Sequence, residues 1–416
     1  MNEGDSSEEI GAPQSIQIHI KNFKSIKNGA LDVSPLTILY GENGAGKSSA
    51  LYALLTLKNI IINSNQNVNG FFNYPFLNAG GYENIVFDHQ KNKMIELEIE
   101  ASTSGLKVTY GVEFDESKAK FMLDAAGKEV APRKLSLDLP TTFPYQLNQQ
   151  RVGKLNLAAQ KTLDIVWNGV ISSVSASVAP EMRQEANDTI IQLNSPVELI
   201  RKIGFVPLKR GFSKPLYSTG ASVTSPVTED EIASLLVNDK YLVSRISHYI
   251  ERIFNRDFRV SAKPGTGFFS LDLTDRQTGL GTELINDGFG INQTVHLLSV
   301  ALFDNYSLIL IEEPEIHLNP SAIKKLVGVL VEIAKKKHKR FIISTHSESL
   351  ITSLLAAVAD ARLKNEDLAV YLVEKSDDVS KFSRQEVNEN GQIKDGLAQF
   401  VEAELSDLRS FLKVPD

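Results

Sequence analysis

The residues best suited to chemistry are Gly41-Glu42-Asn43-Gly44-Ala45-Gly46-Lys47-Ser48, a GxxxxGKS pattern followed by Ser49. Glycines let a backbone curl until successive N–H groups face inward, which suits phosphate oxygens. The apolar run Leu36–Tyr40 precedes the pattern, and an unbroken apolar stretch from Ser49 to about Ile62 follows it. Strand, loop and helix in register separate a phosphate loop from a chance glycine-rich turn. The helix adds its positive N-terminal end. In such a loop Lys47 reaches the β- and γ-phosphates, and the Ser48 hydroxyl holds Mg²⁺. The pattern predicts a bound nucleoside triphosphate.

A second cluster lies at Ser307-Leu-Ile-Leu-Ile-Glu312-Glu313-Pro314-Glu315, an apolar strand ending in carboxylates. One carboxylate at a strand end can complete a Mg²⁺ shell, and the next can polarise an attacking water. Glu312 is assigned to the metal and Glu313 to the water. A third strand, Phe341–Ser344, carries Thr345-His346-Ser347 at its tip. One strand–helix–strand step separates it from the acidic strand. The two are therefore expected side by side, with His346 placed to hydrogen-bond a γ-phosphate. Lys47, Glu313 and His346 form the expected catalytic set.

The elements that must position these groups can be read from periodicity. Residues 1–14 read as a disordered acidic tail, and order begins where Ile16, Ile18 and Ile20 alternate as a half-buried strand. Ile95–Glu100, Leu106–Phe114 and Lys120–Leu123 alternate cleanly, which predicts an antiparallel sheet with one wet face. Residues 125–256 read as a mainly helical insertion. Its clearest element opens at the capping box Thr228-Glu-Asp-Glu231, and an apolar face runs from Ile232 through Leu242 and Ile246 to Ile253. That stripe reads as core packing rather than a partner face. Strands return from Phe258, an apolar helix is expected over about 292–303, and the remainder has the βαβ rhythm of a buried parallel sheet. The basic cluster Lys335–Arg340 closes a helix with Asn319 as N-cap and Pro320 at N1, so it complements the helix dipole. The chain thus divides into an N-lobe over 15–124, the insertion over 125–256, a C-lobe over 257–375 and a strand–helix extension over 376–416.

Composition narrows the function classes. The chain has no cysteine, which excludes disulfides, thiolate metal sites and cysteine nucleophiles. Its net charge of −7 is unlike that of a globally basic nucleic-acid binder. No window is long and apolar enough to span a bilayer, and the acidic start lacks the features of a signal peptide. A cytoplasmic home without membrane partners is expected.

Taken in order, Phe23-Lys24-Ser25-Ile26, Gly41–Ser48, Ile311-Glu-Glu-Pro-Glu-Ile-His-Leu-Asn-Pro320 and Ser344-Thr-His-Ser347 resemble the ABC-class ATPases of the RecF/SMC/Rad50-like superfamily. The resemblance covers about 15–60 and 200–415, and points to compact prokaryotic OLD-like AAA-type ATPases without a Toprim nuclease domain. The stretch Asn286-Asp-Gly288-Phe-Gly290-Ile-Asn292-Gln293 resembles that branch's signature motif, and the turn Gly204-Phe-Val-Pro207-Leu-Lys-Arg210 is similar to one found there. Two departures stand out. Glu312 stands where many relatives have Asp, and Asn292 stands where related signatures often have Ser. A Q-loop glutamine is not obvious, and Gln90 in Phe87-Asp-His-Gln90 is a weak candidate. Tyr371-Leu-Val-Glu374 resembles the first element of a Toprim nuclease, but no Asp-x-Asp follows it, so a complete nuclease is not expected.

The resemblance implies an α/β fold: a P-loop NTPase of ABC ATPase type, with a mixed or antiparallel N-terminal sheet, a parallel core sheet and a helical insertion. It implies ATP and Mg²⁺ as cofactors, and Lys24, Gly288, Gly290 and Asn292 as further nucleotide contacts. It also implies a head-to-tail, ATP-dependent homodimer in which one chain's signature helix covers the other's nucleotide. The function expected is an ATPase that powers a partner protein or a nucleic-acid transaction. An anti-phage defence module with a separate effector such as a nuclease is the leading form. A RecF-like DNA repair clamp is the alternative, and a transporter ATPase subunit ranks third.

Overall fold

A computed structural model describes residues 13–103, 105–127, 134–156, 162–175, 178–221 and 223–394. Strand β1 (Ser15–Phe23) buries Ile16, Ile18 and Ile20, and turns through Lys24 and Ser25 into β2 (Ile26–Asp32). Strand β3 (Leu36–Tyr40) is buried at every position and feeds the glycine loop, after which α1 (Lys47–Ile62) begins. A two-residue pair, β4 (Asn73–Tyr74) and β5 (Leu77–Asn78), and one turn of α2 (Tyr82–Ile85) lead to β6 (Ile95–Thr103). Then come β7 (Leu106–Phe114), β8 (Lys118–Gly127) and β9 (Lys134–Thr142). They form an antiparallel sheet in the order β2-β1-β6-β7-β8-β9. Its alternating buried and wetter positions match the expectation of one wet face.

The expectation of a mainly helical stretch over 125–256 fails in its first half. β8 runs on to Gly127, β9 follows, and a small sheet of β10 (Arg151–Asn156), β11 (Thr162–Trp167) and β12 (Ser172–Val174) precedes the first helix. The cause is a period of two. Leu135, Leu137 and Leu139 point inward between exposed Lys134, Ser136 and Asp138, and Leu163, Ile165 and Trp167 repeat the pattern. Helices begin with α3 (Arg183–Arg201), followed by β13 (Ile203–Val206) and β14 (Tyr217–Ser218). The capping box at Thr228 and Glu231 opens α4 (Glu229–Asn238). The apolar face beyond it is split between two helices, because Asp239 ends α4 and caps α5 (Lys240–Phe254) by accepting from Leu242 N at 2.8 Å.

Strands β15 (Arg256–Lys263), β16 (Phe268–Asp275) and β17 (Gly281–Glu283) make a hairpin sheet with β14. After them come α6 (Phe289–Leu302), β18 (Leu308–Glu312), α7 (Pro320–Lys337), β19 (Arg340–Thr345), α8 (Glu348–Ala359), β20 (Leu368–Ser376) and β21 (Val379–Gln385). The core sheet runs β13-β18-β19-β3-β20-β21, parallel throughout except for β21. It is the wall between two hydrophobic cores. Leu39, Leu308, Leu310 and Ile342 face the core shared with α1, α3 and the antiparallel sheet. Ile38, Ile309, Ile311 and Ile343 face the core built with α4 to α8. Strands covered on both faces need the continuous apolar runs seen here.

The basic cluster divides. Lys335, Lys336 and Lys337 close α7, whereas Lys339 is buried and donates to Phe303 O at 2.5 Å. The region resembling a Toprim element is an antiparallel hairpin of β20 and β21 at the edge of the core sheet. The part of the expected strand–helix extension beyond 394 and nearly all of the expected tail over 1–14 lie outside the described residues. Among the described residues, no helix is long and apolar enough to cross a membrane.

Candidate nucleotide-binding site

Three strands of the core sheet end at one edge. Tyr40 pairs with Thr345 and Glu312 pairs with Ser344, so Gly41, His346 and the two carboxylate residues follow from adjacent strand ends. Open α/β sheets bind ligands at such carboxyl ends. The strand bearing His346 does neighbour the acidic strand, and it also neighbours the one that feeds the glycine loop.

The loop is supported from behind. Gly41 has φ +146°, and a Cβ there would fall 2.1 Å from Val373 O on β20. Gly46 has φ +110°, and a Cβ would fall 2.1 Å from Ser380 Oγ on β21. Ser380 in turn donates to Ala45 O at 2.6 Å. Glu42, Asn43 and Gly44 face solvent, and Ser48 and Ser49 are half-buried in the first turn of α1. That helix starts from Gly46 without a side-chain cap and without an acidic residue in its first turn. Its first N–H groups and positive end are therefore available to an anion. Lys47 folds back over the loop and donates to Gly41 O at 2.7 Å and Glu42 O at 2.8 Å. Burial lowers its pKa, and Glu313, Glu315 and Glu42 act against that shift.

At the acidic end Glu312 is buried and held at both oxygens, by Tyr52 Oη at 3.0 Å and by Leu208 N at 3.1 Å. Tyr52 lies four residues beyond Ser48, so the two share one face of α1. Lys24 adopts a left-handed turn and brings its ammonium 4.8 Å from the Tyr52 ring centroid. Burial lowers the Lys24 pKa, with Glu312 opposing. Lys24 therefore stands over the Tyr52–Glu312 pair, on the acidic side of the site.

Glu313 has φ +41° and donates its N–H to Ser344 O at 2.8 Å. Its Oε1 lies 3.1 Å from His346 Nδ1. Glu315 is buried. Thr345 Oγ1 donates to its Oε1 at 2.5 Å, and that same Oγ1 accepts from Ser347 N at 2.9 Å. Glu315 Oε2 and Ser344 Oγ have no hydrogen-bond partner among the described residues. Burial raises the Glu315 pKa. Arg210 fastens the strand end, donating from Nη1 to Glu312 O at 2.8 Å and from Nη2 to Glu313 O at 2.9 Å. Burial pushes its pKa down to about 10.

Tyr52, Glu315 and Arg210 were not among the expected site residues. Tyr52 carried a readable signal in its spacing from Ser48, and Glu315 in the carboxylate run. Arg210 lay in a turn whose resemblance was visible but whose target was not.

The signature stretch is set apart. Gly288 is the uncapped N-cap of α6, and Gly290 packs so tightly that a Cβ would meet His317 O at 2.5 Å. The helix packs on β13, three strand positions from β3. That is about 14 Å across the sheet. Asn292, expected as a nucleotide contact, is buried. Its Oδ1 accepts from Phe212 N at 2.7 Å and its Nδ2 donates to Phe212 O at 2.9 Å, so the amide braces the protein internally. Gln90 is exposed and bonds Asp88.

A family model described as "AAA domain, putative AbiEii toxin, Type IV TA system" matches residues 36–154 and 228–352, together more than half of the chain. The chain belongs to this AAA-domain family. Its AAA domain is that of a nucleotide-binding ATPase, as the sequence motifs implied. The two matched segments of the family carry the phosphate loop and the acidic strand with His346. Solved structures similar to the chain include the SMC head domain from Thermotoga maritima, 12% identical, with 90% of this chain and 99% of that one covered and a TM-score of 0.44. An SMC head bound to the C-terminal winged-helix domain of ScpA is 14% identical, covering 91% and 99% at a TM-score of 0.49. An SMC head with an extended coiled coil bound to the C-terminal domain of ScpA, derived from Pyrococcus furiosus, is 12% identical, covering 96% and 100% at 0.45. No curated protein matches the chain.

Proposed function

We propose that the chain hydrolyses ATP at the edge where β3, β19 and β18 end, and that two copies meet head to tail around the nucleotide. The observation that carries this reading is the Glu313–His346 pair, with Oε1 and Nδ1 3.1 Å apart, beside a glycine loop whose helix start is uncapped. Lys47 releases the Gly41 and Glu42 carbonyls and donates to the phosphates, together with the N–H groups that begin α1. Ser48 and Glu312 are hard oxygen donors, and no group of three or more metal-ligating side chains occurs among the described residues. Such a pair fits Mg²⁺ completed by phosphate oxygens. When bound, the ion neutralises charge on the β- and γ-phosphates. Glu313 accepts a proton from the attacking water as the water oxygen bonds the γ-phosphorus. The bond to the β-γ bridging oxygen breaks, giving ADP and phosphate. His346 donates from Nδ1 to Glu313 Oε1 and so holds the carboxylate in line.

The dimer reading is supported by the separation of the signature start from the loop of its own chain. Gly288 is exposed, and Phe289 beside it is 74% exposed, which suits a face that a second copy covers. The family description, "putative AbiEii toxin, Type IV TA system", supports a toxin–antitoxin or defence setting. The test is hydrolysis by Glu313→Gln. We expect kcat to fall by about 10²–10⁴-fold with ATP binding retained. Wild-type turnover in that variant would remove Glu313 from the water-activating role.

A further inference from the structure

We propose that Pro207–Phe212, the segment after β13, is a strap joining the acidic strand end to the signature helix, with Arg210 a positioning residue for hydrolysis. The proposal rests on the ATPase reading above. β13 pairs with β18 only as far as Val206 and Ile311, so the Glu312 and Glu313 carbonyls lie beyond the ladder. The planar guanidinium of Arg210 reaches both, at 2.8 Å and 2.9 Å, and Nη1 also donates to Pro207 O at 3.1 Å, closing the strap on itself. A lysine has no fork that could span two carbonyls in this way. The same strap supplies Leu208 N to the Glu312 side chain at 3.1 Å. Arg210 thus sets the backbone at Glu313, whose left-handed φ is uncommon for a residue with a Cβ.

Two residues on, the strap grips α6. Gly211 has φ +122°, and a Cβ there would fall 2.8 Å from Asn292 Oδ1, so the close approach requires glycine. Phe212 exchanges both backbone hydrogen bonds with the Asn292 amide, at 2.7 Å and 2.9 Å. Its ring sits 5.7 Å from that of His296, one turn further along α6. One short segment therefore holds the geometry of Glu313 at one end and the signature helix at the other. A ligand or second copy that moves the start of α6 moves Glu313 with it. In a dimer, occupation of one site then tunes hydrolysis at the other.

The test compares wild type, Arg210→Lys and Asn292→Ala for ATP affinity, kcat, KM and the Hill coefficient of hydrolysis. Fluorescent ATP titration in Mg²⁺ counts the folded sites. We expect both variants to bind ATP within about twofold of wild type, with kcat lowered about tenfold or more. Asn292→Ala should also bring the Hill coefficient to one. If Asn292→Ala does not fold, Asn292→Asp keeps the acceptor and loses the donor, and the same losses are expected. Wild-type kcat and an unchanged Hill coefficient in the folded Asn292 variant would overturn the strap. A wild-type chain that binds ATP without hydrolysing it would instead overturn the ATPase reading.

Discussion

At the scale of single residues, the site shows which chemistry is local in sequence and which is assembled. Gly41 to Ser48 and Glu312 to Glu313 were legible because one short turn or one strand end must carry them in order. Arg210 and Ser380 were not, since each reaches its target from a distant part of the chain. Glu315 offers a test of how the tip of β19 is held. Its Oε1 accepts from Thr345 Oγ1, which also receives the Ser347 N–H that shapes the turn carrying His346. Removing an acceptor from a buried hydroxyl costs about 1–3 kcal/mol. Glu315→Ala is expected to lose that much stability in urea unfolding. Glu315→Gln keeps the acceptor, removes a buried charge and should match or exceed wild type. The single tryptophan, Trp167, is fully buried and can report the transition. Equal loss in both variants would contradict the role given to Oε1.

At the scale of elements, the βαβ half of the chain was readable almost to the residue. The Asn319 cap, Pro320 and the end of α7 at Lys337 fell where local chemistry put them. The strands β9 to β12 were missed because they are short, and their period-two signal is interrupted by polar loops. Helix α6 makes a separate prediction. His296 is buried against Phe212, and burial, then the nearby Arg210 charge, pushes its pKa down to about 3 from 6.5. Between those values the unfolded chain binds a proton that the folded chain refuses, so stability rises with pH. The contribution is complete above pH 6.5 and is lost progressively toward pH 3. The slope is about 1.4 kcal/mol per pH unit. His296→Phe cannot titrate, so the stability gap between wild type and variant should shift by that slope from pH 6 to pH 4. A gap that stays flat would show that His296 is protonated within the fold.

At the scale of the whole molecule, one sheet separates two cores and gathers three strand ends at a single edge. That edge holds the phosphate loop, the carboxylates and His346, while the signature helix packs on β13, next to the acidic strand and three strand positions from β3. The sequence order of the motifs does not reveal this separation; the strand order does. A site open to water at the γ-phosphate gains from a second surface that excludes it. The direct measurement is the mass in solution of Glu313→Gln with Mg²⁺ and saturating ATP. The account predicts a particle of twice the 45.9 kDa chain, which reverts when Lys47→Ala is added to the same variant. A particle of one chain's mass, with ATP demonstrably bound, would contradict it.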